Sequence, residues 1–216
     1  MALYPLERLA YAFLWLILAL IVIHTAVRII RWFVKFPIPA FLVKAIDNPF
    51  RRKIQSPTGL VESLGVNQGM NMLEIGPGSG TYTQAFSDAV GEGGLIVAVD
   101  IERSVLRDLK HRIADIDAQN IYPLVADVHH LPFKRSLFDA VYMITVIGEI
   151  PAPREAFHSF FSVLKPGGKL IFSEFLLDPD FPLPRTLRSW AMGAGFEPHD
   201  QRGNLLTYTI AFQRPG

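Results

Sequence analysis

The chain has no cysteine among its 216 residues, which excludes a disulfide scaffold, a zinc ribbon, an iron–sulfur site and a thiol nucleophile. Charge is also scarce: 19% of residues are Asp, Glu, Lys or Arg, against the roughly 25% usual for soluble domains. Half the residues are hydrophobic, so a disordered chain, a collagen-like chain and a charged coiled coil are excluded too. No internal repeat or low-complexity segment occurs. The formal net charge of +1 hides an uneven distribution. Residues 1–54 hold eight Lys/Arg and two Asp/Glu, whereas residues 55–216 hold thirteen and eighteen. A basic, apolar head is joined to a mildly acidic body.

Within the head, Leu9 to Val27 carries no formal charge over nineteen residues. As a helix rising about 1.5 Å per residue this run covers roughly 28 Å, close to the hydrocarbon thickness of a bilayer. Its apolar residues go all round the helix, which argues for a spanning helix over a surface-lying one. A cleaved signal peptide fits less well, because Ile23-His24-Thr25-Ala26-Val27-Arg28 offers no small-x-small cleavage site. A buried core helix is the remaining alternative. Arg28, Arg31, Lys35, Lys44 and the cluster Arg51-Arg52-Lys53 follow, against the single acid Asp47. Positive charge beside a spanning helix marks the cytoplasmic side, so the body is expected there, on a single-pass membrane protein. Anionic lipid headgroups are the simpler partner for this basic stretch, and no nucleic acid is expected. Trp32 and Phe33 fall where an aromatic belt would lie, and the proline-kinked run 36–43 reads as interfacial. Three segments result: an anchor at 1–35, a basic juxtamembrane linker at 36–54, and a domain at 55–216.

The domain alternates apolar runs with helical spacing. Strands are predicted at 70–75, 95–99, 120–126, 138–144 and 169–175, with two more near Phe196 and at 206–212. Helices are predicted at 81–90, 103–116, 154–164 and 183–195, the third stopping at Lys165-Pro166-Gly167-Gly168. The expected fold is α/β: a Rossmann-like, doubly wound, mostly parallel seven-stranded sheet preceded by one transmembrane helix. Ligands in such sheets bind beyond the carboxyl ends of the strands. There the first strand ends in Glu74-Ile75-Gly76-Pro77-Gly78-Ser79-Gly80. Alternate glycines let backbone approach a ligand closely. The spacing is not the G-x-G-x-x-G of dinucleotide sites, which argues against an oxidoreductase. Asp100 ends the second strand, where a carboxylate can accept from a ribose diol. Asp127 ends the third, where it can accept from an adenine amine, although Asp is also a common helix N-cap.

These residues resemble the class I S-adenosylmethionine-dependent methyltransferases. The likeness rests on Glu74–Gly80 and Asp100, then on Leu131-Pro132-Phe133, Phe138-Asp139-Ala140, Lys165-Pro166-Gly167-Gly168 and Ala194-Gly195-Phe196-Glu197. These later motifs are similar to the branch that includes ubiquinone/menaquinone-biosynthesis methyltransferases. The resemblance implies S-adenosylmethionine as cofactor. It places Gly76, Gly78 and Gly80 round the methionine portion, with Glu74 ordering that loop or meeting the amino group. It assigns Asp100 to the ribose, Ile101 to the adenine face, Asp127 and Val128 to the adenine edge, and Ile144 to the methionine end. The acceptor side carries no motif. Glu149 is the candidate general base, with His129, His130, Tyr142 and Glu174 as further candidates. No metal site is expected, since the paired histidines lack a spaced third ligand. The anchor points to a lipid-like acceptor, either a phospholipid headgroup amine or a prenylated quinone precursor. The rival reading is a tethered S-adenosylmethionine-binding module without turnover. Phe157, Phe160, Phe161, Phe172, Phe175 and Phe181 could line an apolar entry or fill the core.

Overall fold

A computed structural model describes residues 5–33, 49–204 and 206–216. Helix α1 (Pro5–Phe33) runs 29 residues, and its segment Glu7–Arg31 is long and apolar enough to cross a membrane. Its apolar part is not buried: Leu9 and Trp15 stand 69% and 68% exposed, so α1 is not a core helix. The expected interfacial run at 36–43 and most of the linker lie outside the described residues. The linker's remainder forms a short helix, α2 (Pro49–Ile54), followed by α3 (Pro57–Leu64). The α3 start is set locally, since Ser56 Oγ accepts from Gly59 N–H and Pro57 fills the first helical position.

Strand and helix then alternate: β1 (Asn71–Ile75), α4 (Thr81–Val90), β2 (Leu95–Asp100), α5 (Arg103–Asp115), β3 (Ile121–Val125), β4 (Phe138–Ile144), α6 (Pro153–Val163), β5 (Leu164–Phe175), α7 (Pro184–Gly193), β6 (Glu197–Gly203) and β7 (Thr207–Gln213). The seven-stranded sheet has the order β3-β2-β1-β4-β5-β7-β6. Its first five strands are parallel, and β7 and β6 close it antiparallel. The expected doubly wound, mostly parallel seven-stranded sheet is therefore the one observed. The order reverses between β1 and β4, which places the crevice beyond the carboxyl ends of these two strands.

Two faces of the sheet build two cores. On one, Leu73, Val141, Phe157, Phe160, Phe172 and Phe212 are fully covered. On the other, Tyr142 stacks on Phe86 at 4.1 Å between ring centres. Phe157 and Phe172 stack at 5.5 Å, and Phe161 meets Phe196 edge-on. Most of the phenylalanines considered for an apolar entry are thus core.

Strand β5 begins earlier than its sequence predicts. Leu164 pairs with Phe138, and after a register shift Lys169 pairs with Ala140, so Lys165-Pro166-Gly167-Gly168 is a bulge inside the strand. Gly167 takes φ +77, and a Cβ on Gly168 would lie 2.8 Å from the Lys165 carbonyl. Asp139 ties this edge together: it accepts from Lys165 Nζ at 2.7 Å and from the Asn71 N–H at 2.8 Å.

Candidate active site

A cavity of about 330 Å³ opens at the switch point, within the range of small-molecule sites. Its walls come from the ends of β1, β2, β3 and β4 and from α2. Glu74, Gly76, Gly78, Asp100, Ile101, Asp127, Val128, Ile144 and Glu149 all line it. Gly80 does not. It starts α4 at φ +78, and a Cβ there would sit 2.6 Å from Leu109 Cδ1, so its smallness lets α4 and α5 approach. Gly76 has a similar reason at the cavity wall, where φ is +69 and a Cβ would meet Val146 at 2.6 Å.

Glu74 is buried, and desolvation raises its pKa to about 7, partly offset by the hydroxyls of Thr83 and Tyr142. Its Oε2 has no hydrogen-bond partner. Asp100 is pushed up to about 6 by burial and the neighbouring Glu102 charge, against the Glu102 N–H that donates to its Oδ1 at 2.8 Å. Both carboxylates suit a ligand that donates hydrogen bonds and rewards the ionised form. Ile101 is 59% exposed beside them, an apolar plate without a core role.

Asp127 both caps and lines. It accepts from the His129 N–H at 2.9 Å, starting a 3₁₀ turn at Val128–His130, and its Oδ1 lies 2.8 Å from His129 Nδ1. These bonds hold its pKa below the usual carboxylate range. For His129, burial opposes protonation, but Asp127 and the Ala152 and Pro151 carbonyls outweigh it and raise the pKa. His129 lines the cavity as Asp127's hydrogen-bond partner, while the His130 side chain is 86% exposed. Tyr142 and Glu174, two further base candidates, are buried and do not line the cavity. Burial holds both pKa values well above the usual range, with the Glu74 charge adding to Tyr142 and the Asp178 charge to Glu174. Among the described residues no cluster of three or more His, Asp or Glu could hold a metal ion.

Three cavity residues escaped the sequence. Arg51, expected to face lipid, projects from α2 to donate to the Thr145 hydroxyl, with its guanidinium 5.9 Å from the Tyr82 ring centre. Thr145 follows β4 at φ +54, an outlier for a β-branched residue and the sort of strain that collects at functional sites. Its hydroxyl also donates to the Ile144 carbonyl at 2.7 Å. Asp178, on the loop after β5, is raised by burial against the Asp180 N–H that bonds it. The strand-end rule would have found Thr145; nothing in the run Arg51-Arg52-Lys53 singles out its first member.

The basic end of α1 is also engaged. Arg31, 6% exposed, forms an ion pair with buried Asp180, and Arg28 donates to the Phe181 carbonyl at 2.8 Å. These two cations, read from sequence as lipid-facing, bind the loop that carries Asp178.

The residues present fit S-adenosylmethionine: acceptor carboxylates at 100 and 127, an orphan Glu74 oxygen, and a loop whose glycine at 76 permits close packing. Residues 73–172 match the family model described as a methyltransferase domain. A ubiquinone/menaquinone biosynthesis C-methyltransferase of Yersinia pestis is 34% identical over 123 residues, 55% of this chain and 49% of that protein. The chain spans about half the length of the curated relatives it matches. Among solved structures, a SAM-dependent methyltransferase from Aquifex aeolicus superposes with a TM-score of 0.76 at 18% identity, covering 82% of this chain and 99% of that one. The Haemonchus contortus phosphoethanolamine N-methyltransferase 2, in complex with S-adenosylmethionine, gives 0.65 at 15% identity, covering 75% and 53%. Residues 73–172 are thus similar to a methyltransferase domain, and the chain's seven-stranded sheet has the fold of the S-adenosylmethionine-dependent methyltransferase structures.

Proposed function

We propose that the chain is an S-adenosylmethionine-dependent methyltransferase, held at a membrane by α1, that methylates a lipid-like acceptor: a phospholipid headgroup amine or a prenylated quinone precursor. One observation carries the reading. The carboxylates at 74, 100 and 127 line a single cavity, and the loop that lines it at Asp178 is bound by the end of the membrane-length helix. The names of the curated relatives favour a carbon acceptor on a quinone-type ring.

Asp100 would hold the ribose hydroxyls and Ile101 the adenine face. Asp127 and Val128 would meet the adenine edge, leaving Glu74 and Ile144 for the methionine end. S-adenosylmethionine, when bound, supplies a methyl already activated on a sulfonium, so neither a covalent nucleophile nor a metal is required. The protein's share is alignment and exclusion of water, with Arg51 and Tyr82 lining the cavity beside Thr145. Where the acceptor must lose a proton, Glu149, which lines the cavity, would be the base. Residues 55–216 form the catalytic domain in this reading, with α2 contributing Arg51 from the linker. The positive charge of Arg28 and Arg31 at the end of α1 supports a cytoplasmic side for that domain.

The test is to incubate the full chain, in vesicles made from a total lipid extract, with methyl-labelled S-adenosylmethionine and to follow label by mass spectrometry. The expected result is label in a lipid-soluble product, lost in Asp100→Ala. Intact binding of S-adenosylhomocysteine with no labelled lipid would overturn the acceptor class and leave a binding module.

A further inference from the structure

The loop between β5 and α7, residues 176–183, holds apolar side chains that the core does not use. Leu176, Leu177 and Leu183 are 38%, 55% and 43% exposed. Beside them Leu206, at the tip of the β6–β7 hairpin, is 43% exposed, and its carbonyl accepts from the Leu176 N–H at 2.8 Å. That bond fastens loop and hairpin tip into one patch. Between Leu177 and Leu183 lie Asp180 and Phe181, the two residues that grip Arg31 and Arg28 at the end of α1. Arg185, exposed two residues beyond Leu183, adds a cation at the rim.

We propose that these four leucines form a collar round the basic end of α1 that enters the headgroup layer of the bilayer, so that the domain lies against the membrane instead of swinging on a tether. The inference rests on the membrane reading of α1 given above. Its occupant follows from continuity. A spanning helix must leave the hydrocarbon near its first cations, and those cations are bound to the loop that displays the leucines. A loop bound to that point meets lipid, and apolar side chains with a cation beside them suit an anionic interface. Asp178 belongs to the same loop and lines the cavity, which sets the acceptor side of the site next to the bilayer. A lipid-like acceptor would then reach it without crossing water.

The absence of cysteine makes the test direct, because single cysteines can be introduced into the full chain without background. Leu177→Cys, Leu206→Cys, Leu18→Cys and Tyr122→Cys would each carry an environment-sensitive fluorophore. Each would be reconstituted into phosphatidylcholine–phosphatidylglycerol vesicles containing lipids with nitroxides at headgroup or mid-chain depth. Tyr122, 54% exposed on the far-edge strand β3, is the aqueous control. Binding of S-adenosylhomocysteine by each labelled protein confirms its fold. The expected result is mid-chain quenching at 18 and several-fold stronger headgroup-level quenching at 177 and 206 than at 122. Quenching at 18 with 177 and 206 matching 122 would overturn the collar while leaving the anchor in place. Shielding of 177 and 206 from aqueous iodide without quenching by either nitroxide would assign the patch to a second copy or another protein, and also overturn it. No quenching at 18 would remove the anchor and the collar together.

Discussion

In the proposed reading the cavity has a cofactor end and an acceptor end, and the two are built differently. At the cofactor end, Glu74, Gly76, Asp100 and Asp127 each sit at or just beyond the end of a parallel strand, where short loops turn into helices. Each role needs only a strand end and the residue that follows it. At the acceptor end, Arg51 reaches Thr145 across 94 positions of sequence, and Asp178 arrives on a loop held through Asp180 by Arg31, 149 positions away. The first end is a property of a fold shared with many sequences; the second belongs to this chain's own head. In that reading a cofactor common to a fold is bound by local geometry, whereas the acceptor meets parts that have to be brought together.

Four outcomes would break or sharpen this contrast. The largest belongs to the cofactor end. Asp100→Ala should weaken S-adenosylhomocysteine by about 2 kcal/mol or more, roughly thirtyfold, because ribose hydroxyls lose a buried acceptor. Unchanged calorimetric affinity would remove the ribose assignment. Next, Arg51→Ala should lower turnover about tenfold, the scale of a lost charged hydrogen bond, while leaving S-adenosylhomocysteine affinity within about twofold. A parallel fall in both would mean that the two ends are not separable.

The pH dependence comes third. Ribose donors favour the ionised form of Asp100, whose pKa in the free protein is raised to about 6. The share due to Asp100, isolated as the difference from Asp100→Asn and so separated from the protonation of Glu74 near pH 7, should hold above that value and fall about tenfold between about pH 7 and about pH 5. The free protein should show the opposite sign from this group, since a raised carboxylate pKa favours folding at low pH and that contribution is lost as pH rises through about 6. A flat titration of affinity would exclude ionised Asp100 as the acceptor. The smallest effect tests a motif residue outside the cavity. Asp139→Ala should cost about 1 kcal/mol of stability, seen as a few degrees in melting temperature, through its half-exposed bonds to Lys165 and Asn71. Cofactor affinity should not move; if it does, Asp139 acts beyond tying strand edges.

Legibility in the sequence followed the same division. Helix α4 and strand β4 fall where hydrophobic spacing puts them, because both are bounded by glycine turns or polar runs. Strand β5 was legible only in its second half: Pro166 and two glycines read as a stop, yet a bulge let pairing with β4 resume. Gly80 read as part of the ligand loop, but its φ and the Leu109 contact make it a helix-packing residue. His129 read as a possible base; the hydrogen bond with Asp127 depends on a 3₁₀ turn that single-residue reasoning does not resolve.

From its sequence alone this protein is a seven-stranded α/β domain with strand-end acids behind a glycine loop and a membrane-length helix in front. Periodicity, turn residues and charge gaps are local, and local rules place them. Only the folded chain decides that Arg51 lines the cavity and reaches Thr145, that Thr145 is held at positive φ, and that Arg28 and Arg31 grip the loop after β5. Those pairings span long loops of chain, and packing, not neighbouring sequence, selects them.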